Sequence, residues 1–182
     1  MKENQRIRLS KTLLRNSLIV LLKQKSIHKI SVTEICAHAQ INRTTFYKHY
    51  GSQYDLLADI ENEVLTSIAS YVGPDDSTDG AMRQFAKIIS YIDDNIDICR
   101  ILFDNNIGPD FPAKLISLPR IRQSIAKFEQ GRSKNILEYT FSFVVAGSFD
   151  LIRIWMNKEE REPPAVIARL FSDLINKLLP EA

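Results

Sequence analysis

The apolar residues of this chain recur at three- and four-residue spacing almost from end to end, a period that predicts a succession of helices. Leu13, Leu14, Leu18, Leu21 and Leu22 predict a first helix over about residues 10–24, with Ser10 as its N-cap. KSIHKI then makes a connection in which His28 stands between lysines as a solvated loop residue. Ser31 and Glu34 have the spacing of a capping box, in which each side chain satisfies a backbone donor at the other's position. At about 100° per residue, Val32, Ile35, Cys36 and Ala39 share one side of this second helix, and Thr33, Glu34, Ala37 and His38 the other. Cys36 is therefore expected in the core, and His38 points away from it, so the two do not form a metal pair.

After a break at Gln40-Ile41-Asn42, Asn42 can cap a third helix from Arg43 to about Tyr50, and Gly51 is placed to end it in a left-handed conformation. Phe46 and Tyr50 fall inward, with His49 beside them; Thr44 and Lys48 fall opposite, flanked by Arg43, Thr45 and Tyr47. Leu56, Leu57, Ile60, Val64, Leu65 and Ile68 describe a longer amphipathic helix, stopped by GPDDSTDG at positions 73–80. Helices are further expected over 81–94, from about Ile96 to the break at DNNIGPDFP, and over 113–118 and 121–128 on either side of Pro119. A long one follows from Lys134 to about Asn157, and Pro163-Pro164 precede a last amphipathic helix. The expectation is an all-α chain of about nine helices.

The long penultimate helix is unusual in its pattern. Between Glu138 and Asp150 eleven consecutive residues, YTFSFVVAGSF, carry no charge. That run falls short of the roughly 18 residues a membrane span needs, so protein must cover it on most sides. One side can meet the chain's own core; a second copy of the chain is expected on the other. Gly147, which costs a helix interior about 1 kcal/mol, suits a place where two helices approach closely. Asp150 and Arg153 are the only charges from Tyr139 to Met156; they are expected to form an ion pair, within the helix or between two chains, with orientation of a ligand as the alternative.

Charge changes the picture more than composition does. Residues 1–54 hold ten Lys and Arg against two acids, a balance of +8, while the remaining residues hold fourteen against twenty, a balance of −6. A basic third on an acidic body is the asymmetry of a head that binds nucleic acid. No apolar run is long enough for a bilayer, and MKENQRIRLSK has no apolar stretch behind its basic residues, so the chain is expected in the cytoplasm. Cys36 and Cys99, far apart and in no metal-like spacing, are expected as unpaired thiols. All three histidines lie within the first 49 residues, neither cysteine has a histidine partner at helical spacing, and no glycine-rich phosphate loop is present. Catalysis, a cofactor and a metal site are accordingly not expected.

Two short helices joined by a tight turn, the second with a hydrogen-bonding and cationic outward face, have the organisation of a helix-turn-helix over about residues 31–51. Such a face can meet base edges and phosphates in a major groove. The stretch SVTEICAHAQINRTTFYKHYGSQYDLL resembles the DNA-binding signature of the TetR/AcrR regulators, with matching residues Thr33, Ile35, Ala39, Ile41, Asn42, Thr45, Phe46, Tyr47, His49, Tyr50, Leu56 and Leu57. The pattern's turn glycine is replaced by Gln40, which costs on the order of 1 kcal/mol if the left-handed conformation is kept. Gln53 stands where the family usually has a lysine that reaches phosphate, and can at most hydrogen-bond.

The resemblance implies that Thr33 and Tyr47 contact backbone phosphates, and that Arg43, Thr44, Thr45 and Lys48 read or flank bases. Asn42 is counted with them at the helix start; His49 either faces inward or touches phosphate. MKENQRIRLSK is expected as a loose arm that adds phosphate or minor-groove contacts or is simply solvated. AGSFDLIRIW followed by PPAVIARLFSDLI resembles the C-terminal helix pair of a TetR-like branch that includes regulators of dihydroxyacetone kinase operons.

The organisation implied is a DNA-binding domain over 1–53 and an effector-binding and dimerisation domain over 54–182. The function implied is a homodimeric repressor, paired through its last two long helices on a palindromic duplex operator and answering to an unidentified small molecule. Tyr91, Phe103, Phe111, Phe141, Phe149 and Trp155 are candidates to line the effector cavity, or are plain core. The alternative is a regulator or adaptor of the same fold, or an activator, controlled by a protein partner.

Overall fold

Three side-chain caps set the starts of the helices in the N-terminal third. Ser31 Oγ accepts from the Glu34 N–H at 3.2 Å, Asn42 Oδ1 from the Thr44 N–H at 2.8 Å, and Ser52 Oγ from the Asp55 N–H at 3.3 Å. The structure, a computed structural model, describes residues 2–73, 78–104, 110–119, 121–123 and 134–178. Among these, the helices are α1 (Lys2–Leu22), a 3-10 turn (Ile27–Lys29), α2 (Val32–Ala39), α3 (Arg43–Tyr47) and α4 (Gln53–Tyr71). The body adds α5 (Thr78–Asp94), α6 (Ile96–Leu102), α7 (Phe111–Ile116), α8 (Lys134–Met156) and α9 (Pro164–Leu178). No strand occurs among the described residues, and none of these helices is long and apolar enough to cross a membrane.

The head is built by α1 packing on α2 and α4, with α2 on α3. Leu14, Leu18, Ile35, Phe46, Leu56 and Ile60 are fully buried there. In the body, α5 lies along α9, where Phe85 and Phe171 stack at 3.8 Å, while α4 touches α5 and α7, and α6 touches α1 and α8. The corner between α8 and α9 is fixed by polar contacts to its neighbours. Trp155 donates its indole N–H to the Glu162 carbonyl at 2.9 Å, and Arg100 on α6 donates to the Met156 carbonyl at the end of α8. Arg161 bonds Asp93 on α5 at 2.8 Å and lies over the Trp155 ring.

Cys36 is buried, as its helical position required; Cys99, which the sequence allowed as apolar filling or as a weakly exposed thiol, is buried too, and burial pushes its thiol up to about 12. Asp150 and Arg153 form the expected ion pair within α8. Gln40 is the left-handed C-cap of α2, at φ 55° and ψ 36°, and is the only non-glycine residue with positive φ among those described.

The structure corrects three expectations. The N-terminal stretch continues α1 back to Lys2 in place of a loose arm, so Ser10 lies inside the helix and caps nothing. Leucine periodicity begins only at Leu13, but residues 2–12 contain no glycine or proline and are rich in Lys, Glu, Gln, Arg and Leu, which sustain a helix without a core face. The third helix ends at Tyr47, short of Tyr50, and Gly51 is not left-handed. Gly51 instead gives its N–H to the Asp55 carboxylate at 2.9 Å, which a Cβ there would meet at 2.8 Å. Two later helices begin early: α5 at Thr78, three residues before its expected start, and α7 at Phe111, two residues before. The expected helix over 121–128 is helical through 123 and otherwise lies outside the described residues.

The left-handed Gln40 yields a stability prediction. Gln40→Gly relieves the clash of Cβ with the backbone, less the extra chain entropy of glycine, and is expected to stabilise the protein by about 0.5–1 kcal/mol. Urea unfolding measures it: the midpoint rises if the strain is real, and an unchanged or lowered midpoint contradicts it.

Candidate nucleic-acid interface

α3 is only five residues long and owes its placement to what surrounds it. The Asn42 cap starts it, the buried Phe46 pins it to the head's core, and the turn before it leaves α2 through the left-handed Gln40. With Phe46 inward, helical geometry forces Arg43, Thr44 and Tyr47 outward, and all three are exposed. Lys48, the C-cap, is exposed beside them; Thr45 is half-buried. The Arg43 guanidinium lies 5.9 Å from the Tyr47 ring centroid. Among the described residues no acidic side chain pairs with Arg43 or Lys48, so their charge is left to solvent or to an anion.

The other site residues expected from sequence are arranged around this short helix. Thr33 is exposed in the first turn of α2, and Asn42 is exposed while its side chain caps α3. His49 is half-buried, its ring 6.3 Å from that of Tyr50, which keeps it between the inward face and the surface. Gln53 is half-buried at the first position of α4.

Polar contacts brace the head from behind. Lys25 bonds Glu34 at 2.6 Å and, with a further contribution from the Ser31 N–H, holds that carboxyl below its usual value. His38 meets Ser17 on α1 at 3.1 Å, and His28 meets the Tyr54 hydroxyl on α4 at 2.9 Å. His28 is thus exposed, as a loop residue should be, but tethered. Tyr50 donates to Asp59 on α4 at 2.7 Å. Sequence reading passed over Tyr54 and Asp59, because both bonds join residues brought together by tertiary packing; the one available signal was a hydroxyl at the inward position of Tyr50.

The aromatic candidates of the body separate into two groups. Phe103 lies 5.3 Å from Phe111 and 5.8 Å from Phe149, which makes one cluster between α6, α7 and α8. Tyr91 meets Tyr71 at the end of α4 at 6.0 Å, and burial raises its phenol above the ordinary value. Trp155 is fully buried and its N–H is used within the α8–α9 corner. The Phe141 side chain lies outside the described residues.

Comparison with known proteins agrees with this geometry. A family model described as bacterial regulatory proteins of the tetR family matches residues 18–60, and one described as a transcriptional regulator C-terminal region matches residues 81–177, more than half of the chain. A TetR transcriptional regulator from Streptococcus agalactiae 2603V has a similar fold, with a TM-score of 0.69 at 17% identity over 96% of this chain and 98% of that one. The dihydroxyacetone kinase operon activator DhaS aligns with a TM-score of 0.57 at 20% identity over 93% of this chain and 94% of that one. A search of curated protein sequences finds no match. With the helix-turn-helix at one end and the regulator body at the other both matched, the chain belongs to the TetR family of DNA-binding transcriptional regulators.

Proposed function

We propose that this regulator is a homodimeric, ligand-responsive repressor that reads a palindromic operator through α3. The observation that carries the reading is the exposed set Arg43, Thr44, Tyr47 and Lys48 on a capped helix whose opposite side is anchored by Phe46. On this reading Arg43, Thr44, Thr45 and Lys48 read or flank bases, Thr33 and Tyr47 contact phosphate, and Asn42 and His49 flank the contact. Residues 1–53 form the reading head and residues 54–182 the effector-binding and dimerisation part. No chemistry is required of the chain.

Support for the dimer comes from what a single copy leaves exposed. Tyr139, Phe143 and Ile154 on α8 are 78%, 66% and 56% exposed and lie on one side of the helix, with Gly147 in line between them. Among the described residues nothing stands within 4 Å of where a Gly147 Cβ would be, which leaves room there for a close neighbour. Val166, Leu170 and Leu174 make a matching exposed stripe on α9, which touches α8. Two adjacent apolar stripes fit an isologous four-helix contact between two copies. A ligand in the body, for which the Phe103–Phe111–Phe149 cluster is the candidate wall, acts only by binding one spacing of the heads better than another.

A second reading has the opposite regulatory sign: the structurally similar DhaS is described as an operon activator. The duplex contacts are the same in both, and a reporter placed behind the selected operator separates them.

Selection of bound sequences from a random duplex pool tests the DNA reading. A two-fold symmetric motif is expected, with half-sites about 34–36 Å apart or a multiple of that distance. Salt-sensitive binding without sequence preference points to an adaptor of the same fold instead. On the selected duplex, Lys48→Ala or Arg43→Ala is expected to weaken binding by about 1–3 kcal/mol; unchanged affinity in both variants sinks the proposed orientation of α3. Phe143→Glu places a charge in the proposed dimer contact, so sedimentation equilibrium should show a dimer for the unaltered chain and monomers for the variant. A variant that stays dimeric shows that α8 pairs through another surface or not at all.

A further inference from the structure

The inward side of the reading head ends in a phenol with a specific polar partner. The Tyr50 ring is buried 5.7 Å from that of Phe46, so hydrocarbon packing holds it in the core. Its hydroxyl donates to Asp59 Oδ2 on α4 at 2.7 Å. Lys11 of α1 stands 3.9 Å from the same oxygen and 5.3 Å from the Tyr50 ring centroid. One carboxylate therefore ties together the segment that follows α3, the first half of α4, and α1.

Packing alone is a poor protractor. Apolar contact is non-directional and lets a five-residue helix slide or tilt over its neighbour at little cost. A short hydrogen bond to a carboxylate defines one distance and one direction. Burial first, and then the bond to the Asp59 carboxylate, hold the Tyr50 phenol above its ordinary value, so the hydroxyl keeps its proton and remains the donor. The link is reinforced close by, where the Gly51 N–H bonds Asp55 at 2.9 Å and Arg15 of α1 pairs with Glu63.

We propose that Asp59 is a positioning residue for DNA recognition: through the Tyr50 hydroxyl it sets the angle between α3 and α4, and with it the approach of Arg43, Thr44 and Lys48 to the base edges. This rests on α3 being the duplex-reading helix. Asp59 makes no contact with DNA on this account; it acts through Tyr50. Contacts to base edges tolerate small angular errors badly, whereas attraction to phosphates is little affected by them, so the expected signature is a loss of discrimination between sequences.

The test uses the full chain, the duplex it selects from a random pool, and a scrambled duplex of the same length and composition. The ratio of the two affinities is the readout, because removing a carboxylate near phosphates raises both affinities together. Tyr50→Phe keeps the ring and removes only the hydroxyl, and urea unfolding verifies that it is folded. In Tyr50→Phe and in Asp59→Ala the ratio is expected to fall about tenfold, the equivalent of about 1.4 kcal/mol, with no further fall in the double variant. Asp59→Asn, whose amide oxygen still accepts, is expected to keep most of the ratio. A ratio unchanged in Tyr50→Phe and Asp59→Ala overturns the proposal, as does an additive double variant. If the unaltered chain selects no sequence, the DNA reading itself fails and this inference falls with it; a selected motif with an unaffected ratio sinks the inference alone.

Discussion

One continuous core runs from Leu14 of α1 to Ile167 of α9, and the rest of the molecule depends on how α4 spans it. Its 19 residues present one buried series, Leu56, Leu57, Ile60, Val64, Leu65 and Ile68, and it packs on α1 of the head as well as on α5 and α7 of the body. Polar contacts along α4 reach both ways. Tyr54 and Asp59 bond His28 and Tyr50, Glu63 pairs with Arg15, and all of these partners belong to the head. Glu61, buried on the same helix, takes Lys114 of α7, and the Tyr71 ring at its end meets Tyr91 of α5. The carboxylate is buried while the lysine side chain is 46% exposed, so the pair links α7 to α4 from the rim of the core. The N-terminal helices are thus joined to the later ones through α4, which α7 touches.

The far end of the body is braced with comparable care. Arg100 holds the end of α8, Arg161 spans Asp93 and Trp155, and the indole N–H closes the corner to α9. These contacts fix the direction of the two helices that carry the uncovered apolar stripes. In the proposed dimer, the separation of two heads is then a property of rigid parts in series: stripe, corner, α5–α6 layer, α4, head. Lys23 at the end of α1 and Asp97 on α6, 2.7 Å apart, add a second link between layer and head, though both are exposed and salt weakens such a pair.

Much of this was legible in the sequence wherever the determinant is local. The Ser31 and Asn42 caps, the inward Phe46 and Tyr50 and the core role of Cys36 follow from spacing alone, and the structure places them as read; of the uses open to Asp150 and Arg153, it shows the pair within the helix. The left-handed Gln40 was legible through the resemblance, since the matching pattern has glycine there. What escaped has two causes. The first turns of α1 have helix formers but no apolar periodicity, so a reading anchored on leucines began the helix at Ser10 in place of Lys2. Tyr50–Asp59, Glu61–Lys114 and Arg100 on the Met156 carbonyl join elements distant in sequence, or a hydroxyl whose residue type alone says only that it is aromatic. Of the candidate site, the outward face of α3 was legible; the struts that aim it were not.

The proposed function turns on aim: in it, a short cationic face recognises sequence because rigid elements present two copies of it at one separation. Hydroxyl-radical footprinting of the full chain on a duplex it binds specifically measures that separation on the DNA itself. The account predicts two protected patches on one face of the duplex, centred about 34–36 Å apart or a multiple of that distance, related by two-fold symmetry. A single protected patch, or uniform weak protection along the duplex, would contradict it.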